Sequence, residues 1–147
     1  QPRFQTIVGL EIHAQLDIPT KLFSNAKVTG KERPNSVATG ALDPFDVAVP
    51  GYLPVLSKEA VQAAVLAAGV LQCEVSKLSR FERKHYSYAD IPFHYQVTQQ
   101  RWPLAVNGQV EAIVAANPKA KQKTNQVKCR INRIQLEQDT GKTTQTG

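Results

Sequence analysis

Cysteine is nearly missing from this chain, with only Cys73 and Cys129 among 147 residues. Their separation lies far beyond a C-x-x-C spacing, which removes a zinc knuckle and a disulfide framework from consideration and fits a reducing compartment. Long apolar runs are lacking as well. The nearest to one, Ala63 to Leu71, falls far short of the roughly 20 residues of a membrane-spanning helix, so no membrane association is expected. There is no charged-then-apolar leader. The chain opens on Gln1 and closes on Thr143-Thr144-Gln145-Thr146-Gly147, so the expectation is a piece of a longer protein, with any targeting segment already gone. A G-x-x-x-x-G-K-[ST] loop is absent, and Gly141-Lys142-Thr143 alone does not make one, which disfavours a standard P-loop ATPase. Ser24, Ser36 and Ser79 sit in no nucleophile elbow, and Cys73 follows an apolar helical pattern where burial is the ordinary outcome. Repeats and low-complexity blocks are likewise lacking, so residues 1–147 read as one continuous domain.

What is present begins with charge. Eighteen Lys and Arg stand against 12 Asp and Glu, a formal charge of +6, which suits polyanions such as tRNA or nucleotide phosphates as well as simple solubility. Near the start, Val8, Leu10, Ile12, Ala14 and Leu16 alternate with Gly9, Glu11, His13, Gln15 and Asp17. That period of two predicts a half-buried strand with Glu11 and His13 on one face. Turns are expected at Pro34-Asn35-Ser36 and Pro50-Gly51. Ser57 is an N-cap, Glu59 suits the positive end of the helix dipole, and Val61, Ala64, Val65 and Ala68 recur at helical spacing, so a helix is predicted from Ser57 to about Leu71. Asn107-Gly108 between apolar stretches predicts a type I′ hairpin turn. Asn117 to Asn125 reads as a basic surface loop. Val127 to Leu136 reads as a strand with a bulge near Asn132 and Arg133, where its apolar phase shifts.

Two regions can carry chemistry. In LEQDTGK, Leu136 to Lys142, Glu137 and Asp139 fall on one face if the strand continues. With Glu11 and His13 they form a set of hard donors that suits Mg²⁺, although the same spacing equally describes a solvated turn. Between Arg80 and Gln100, RFERKHYSYADIPFHYQVTQQ mixes Arg80, Arg83, Lys84 and His85 with Phe81, Tyr86, Tyr88, Phe93 and Tyr95. Cations neutralise phosphates and aromatic rings stack on bases. The same residues also describe a structured loop, punctuated by Asp90 and Pro92, whose aromatics anchor it to the core.

Seven segments occur in the order found in one family: VGLEIHAQL, KLFS, PNS, PGYLPVLSKEAV, FERKHYSYADIP, YQVTQQ and RIQLEQDTGK. Together they make the chain resemble the B subunits of the glutamyl-tRNA(Gln) amidotransferases over nearly its whole length. The resemblance implies an α+β fold, an antiparallel sheet with packed helices, forming the N-terminal part of a glutamine synthetase-like catalytic cradle domain. The family's C-terminal helical and tail domains, which grip tRNA, would be absent. It implies ATP and Mg²⁺ as cofactors, phosphorylation of the Glu side chain of misacylated Glu-tRNA(Gln), and amidation by ammonia released from glutamine. Subunits A and C are the implied partners. Glu11 and His13 would lie at the Mg²⁺ and nucleotide site, Glu137 and Asp139 would supply further metal ligands, and Lys84, Arg83 and Tyr86 would be catalytic, with Lys84 stabilising the transferring phosphoryl group.

Two departures stand out. Gln138 replaces one of two adjacent carboxylates common in bacterial relatives, and the C-x-x-C pair of some bacterial members has no counterpart near Asp43 and Asp46, which argues against zinc. LEQD, FERKHYSYAD and TQQR look closer to mitochondrial members, which implies the mitochondrial matrix. A non-catalytic RNA-binding or scaffold module that keeps the fold is the alternative.

Overall fold

The computed structural model describes residues 3–28, 42–114 and 125–140. In chain order the described elements are α1 (Lys58–Val70), β1 (Glu74–Val75), β2 (Glu82–His85), β3 (Tyr95–Thr98), β4 (Ala105–Val114) and β5 (Asn125–Ile134). They form an α+β arrangement with two antiparallel sheets, one ordered β1-β4-β5 and one pairing β2 with β3. The expected plural helices reduce to α1 among the described residues.

Helix α1 begins and ends where its sequence specifies. The Ser57 hydroxyl oxygen accepts from the Ala60 N–H at 3.3 Å, satisfying one of the donors that the first turn leaves free. Ala60, Ala64 and Ala68 form its buried stripe, and their small side chains let the helix approach closely. At the other end the Cys73 N–H donates to the Ala68 carbonyl and the Gln72 N–H to the Gly69 carbonyl. This is a Schellman closure with Gln72 in the left-handed region at φ 54°, a place glycine usually fills. The Leu71 carbonyl then accepts from Gln109 N–H at 2.9 Å, tying the helix end to β4.

Two small apolar clusters make the core. Phe23, Phe45 and Val97 form one, while Ala64, Leu104 and Leu136 form the other, and Leu22 and Phe81 pack against both. Phe23 meets Phe81 edge to face at 5.0 Å, a favoured aromatic geometry. The 42–56 stretch is held beside them by side chains. Asp46 accepts from Lys21 at 2.8 Å and from Ser24 at 3.0 Å, so the KLFS motif is fastened through its polar residues. Pro50-Gly51 forms the expected turn, with Gly51 at φ 91° and the Tyr52 N–H on the Val49 carbonyl.

Three expectations are corrected. Residues 8–16 are not a strand: no ladder is formed, and Val8, Leu10 and Ile12 are 82–90% exposed. Alternation specifies an extended chain, but a strand also needs a partner. Asn107-Gly108 is not a hairpin turn; both residues lie inside the ten-residue strand β4. Asn107 has the expected positive φ of 58°, whereas Gly108 is required for a different reason. A Cβ there would stand 2.1 Å from Cys73 Sγ and 2.8 Å from the Leu71 carbonyl oxygen. The bulge near Asn132 is absent too, because β4 and β5 keep one register from Ala105↔Ile134 to Val114↔Asn125. Pro34-Asn35-Ser36 and most of the 117–125 segment lie outside the described residues.

Gly108→Ala is expected to destabilise the full-length protein by about 1–3 kcal/mol, the usual cost of overpacking, measured by denaturant unfolding. Adding Cys73→Ala should restore only part of that loss, since the Leu71 carbonyl is backbone and remains in place.

Candidate active site

The Arg80–Gln100 segment, expected as a structured loop, is built on a β-hairpin. Strands β2 and β3 pair with Glu82↔Thr98, Arg83↔Val97, Lys84↔Gln96 and His85↔Tyr95. The Tyr86 N–H closes the nine-residue connection on the His94 carbonyl at 3.1 Å, and His94 takes a positive φ of 55°. Neighbouring strand residues face opposite ways, so Arg83 and Lys84 part company. Arg83 lays its guanidinium over the Tyr95 ring at 4.8 Å, next to the Phe45–Phe93–Tyr95 aromatic run. Lys84 faces the other side, as does Tyr86 two residues on.

The 136–138 segment is stitched onto β3. Gln138 N–H donates to the Val97 carbonyl at 2.9 Å, and its side-chain oxygen accepts from the Val97 N–H at 3.3 Å. Gln96 Nε2 donates to the Gln138 carbonyl at 2.7 Å. Leu136 N–H donates to Oε1 of Gln99, whose side chain is 1% exposed, and Thr98 Oγ1 donates to Glu137 Oε2 at 2.6 Å. One backbone bond and the buried side chains of Gln96, Thr98 and Gln99 thus stand where a regular strand would form a ladder, since buried polar groups must be paired. The oxygen that Gln138 brings in place of a carboxylate is spent on backbone.

A cleft of about 400 Å³ opens beside this seam, lined by Lys84, Tyr86, Tyr88, Asp90, Gln96, Glu137 and Thr140. That volume is within the range of small-ligand sites. Lys84 supplies a cation, Asp90 and Glu137 supply anions, and Tyr86 and Thr140 supply hydroxyls. The Tyr86 phenol points its proton at Asp90 Oδ2, 3.4 Å away. Burial raises the Tyr86 pKa first, and the negative charge of Asp90, its hydrogen bond, and the charge of Glu137 raise it further. Tyr86 is therefore a neutral hydrogen-bond donor at ordinary pH.

Of the residues singled out from sequence, Lys84, Tyr86 and Glu137 meet in this cleft, and Arg83, Glu11, His13 and Asp139 are not in its lining. Glu11 and His13 do share a side, with Glu11 Oε1 3.4 Å from His13 Nε2, but both are well exposed, at 78% and 71% of their side chains. Carboxylates and imidazole are suitable donors for Mg²⁺, yet among the described residues no three His, Cys, Asp or Glu side chains are gathered around one point. Tyr88, one of the aromatics expected to stack on bases, also lines the cleft, whereas sequence reasoning missed Asp90, Gln96 and Thr140. Asp90 read only as punctuation, and recognising YQVT as a strand would have placed Gln96 opposite Lys84.

A family model described as the GatB/GatE catalytic domain matches residues 6–147. The chain belongs to that family. It is 47% identical over 140 residues to the B subunit of the mitochondrial glutamyl-tRNA(Gln) amidotransferase of Homo sapiens, covering 95% of this chain and 24% of the relative. The protein of the same description from Danio rerio is 47% identical over 142 residues, covering 96% of this chain and 25% of that one. The B subunit of an aspartyl/glutamyl-tRNA(Asn/Gln) amidotransferase from Mycoplasma mobile is 42% identical over 139 residues, covering 95% of this chain and 27% of that one. The chain thus spans about a quarter of the length of the curated relatives it matches.

Because the folded state holds the Tyr86 proton more tightly than the unfolded chain, the stabilisation it reflects is present below the ordinary tyrosine value of 10.0 and is lost as pH rises through the raised folded value. Ultraviolet titration of the full-length protein should show a tyrosinate component whose midpoint lies above the ordinary tyrosine value of 10.0, and Tyr86→Phe should remove that component.

Proposed function

We propose that this chain is the N-terminal part of the catalytic cradle of a mitochondrial-type amidotransferase B subunit, one that converts misacylated Glu-tRNA(Gln) to Gln-tRNA(Gln). The observation that carries this reading is the meeting of Lys84, Tyr86 and Glu137 in one cleft, although FERKHYSYADIP and RIQLEQDTGK stand far apart in the chain. Family membership and the names of the relatives support it.

The chemistry proposed is a two-step carbon-nitrogen ligation. A side-chain carboxylate oxygen of the glutamyl ester attacks the γ-phosphorus of ATP, ADP departs, and an acyl-phosphate is left. Ammonia released from glutamine then attacks the acyl carbon, the acyl carbon–oxygen bond breaks with its electron pair going to the departing phosphate, and the new nitrogen loses one proton, which the phosphate takes up, to give the amide. On this reading Lys84 offsets the charge of the transferring phosphoryl group, electrostatic stabilisation being usually the largest single contribution in such reactions. Tyr86, held neutral by its surroundings, donates a hydrogen bond to the same oxygens. Mg²⁺ bound with the nucleotide would supply further neutralisation of phosphate charge. Glu11, His13, Glu137 and Asp139 are the candidates that the resemblance offers for holding it; among the described residues they are not gathered around one point, and Glu137 is the one that stands at the cleft. Arg83 acts on this reading by bracing β2 against Tyr95. Subunits A and C, as ammonia source and assembly partner, and the mitochondrial matrix as location complete the proposal.

The test is the full-length protein assembled with its partners. Lys84→Met should lower both Glu-tRNA-dependent ATP hydrolysis and Gln-tRNA formation by at least about 100-fold, the scale of losing one transition-state charge contact, while tRNA binding persists. Undiminished turnover would remove Lys84 from the site. A wild-type complex that binds tRNA without hydrolysing ATP would favour a scaffold that has kept the fold.

A further inference from the structure

Asp90 lines the cleft, and its carboxylate is short of donors. Oδ1 is shut away from solvent with no hydrogen-bond partner, and Oδ2 has a single long bond, from Tyr86 at 3.4 Å. Hydroxyl-to-carboxylate bonds ordinarily span about 2.5–3.0 Å, so neither oxygen is well served. A buried acceptor left without a donor is costly, and a bound group that donates to it is one way of satisfying it. Among the described residues no cation is paired with Asp90. The cleft's cation is Lys84, which with Glu137, Gln96 and Thr140 surrounds the same space.

We propose that Asp90 receives the α-ammonium group of the aminoacyl moiety in this cleft. The inference rests on the reading above, in which the cleft takes a glutamyl ester. That group is a zwitterion with charges a few bonds apart. Lys84 complements its side-chain carboxylate, and an under-satisfied carboxylate on the same wall complements its ammonium. Asp90 would then act as a substrate-binding residue that distinguishes a free α-ammonium from a blocked one.

A substrate change paired with a residue change tests this. The full-length complex is given Glu-tRNA(Gln) and, separately, N-acetyl-Glu-tRNA(Gln), in which the ammonium has become a neutral amide. Wild type should lose at least about tenfold in kcat/KM on acetylation, the scale of a hydrogen bond to a charged group. Asp90→Asn should be impaired on Glu-tRNA(Gln) to a similar degree and should treat the two substrates alike. A residue with a merely structural role would lower both rates together and leave the ratio unchanged, so a ratio in Asp90→Asn equal to that of wild type overturns the inference. Wild type alone can also decide against it, whether or not the variant folds, if it uses both substrates equally well. A wild-type complex that converts neither substrate overturns the function proposed for the cleft and this inference with it.

Discussion

The hydrogen bonding between β3 and the 136–138 segment is the constraint on which the site depends. Burial of Leu136 in the core brings the segment close, and the hydrogen bonds then fix where Glu137 stands relative to Lys84. Two features make the seam unusual for a sheet. It uses side-chain amides and a hydroxyl where a ladder would use backbone, and the residues supplying them, Gln96, Thr98 and Gln99, are buried. In a low-dielectric setting a fully paired polar network is rigid and a partly paired one is unstable. The seam therefore sets a geometry as well as a contact, which a core made largely of alanine and a few aromatic rings does less sharply.

The cleft beside it separates charge by sign. Lys84 arrives on β2, Glu137 arrives on the stitched segment, and Asp90 arrives on the connection between β2 and β3. Each comes from a different backbone piece, so a ligand touching all of them reads the assembly of the whole unit. Tyr86 stands between the two carboxylates in electrostatic effect, and both of them raise its pKa. A phenol held neutral can hydrogen-bond to phosphate or carboxylate oxygens without adding to the negative charge already present.

How much of this could be read from the sequence depended on whether the deciding interaction was local. Helix α1 was legible because Ser57, Glu59 and the alanine stripe are all local signals, and so was the Pro50-Gly51 turn. Asn107-Gly108 misled because its dipeptide chemistry is local while its true constraint, the close approach of Leu71 and Cys73, is not. The phase shift in β5 read as a bulge for a similar reason: the register holds along its whole length, and the local irregularity falls on the partner strand at Asn107, whose φ is positive. The alternation at Val8–Leu16 specified an extended backbone and could not specify a partner. In the candidate site Lys84, Tyr86 and Glu137 were recognisable through motif likeness, whereas Gln96 became visible only once the hairpin register set it opposite Lys84, and Asp90 only once the connection between β2 and β3 brought it to the cleft.

Strand parity gives the adjacent basic residues Arg83 and Lys84 unlike duties. One guanidinium lies flat on Tyr95, a use for which its planar shape is suited, and one ammonium projects into the cleft as a compact charge on a flexible stem. Sliding β2 by a single residue against β3 would leave composition and net charge untouched and would exchange the two faces. A forked cation would then enter the cleft, and the aromatic run would lose its planar cover. The alignment of Glu82 with Thr98 is in that sense a chemical instruction: it selects which kind of positive charge the cleft presents to an anion.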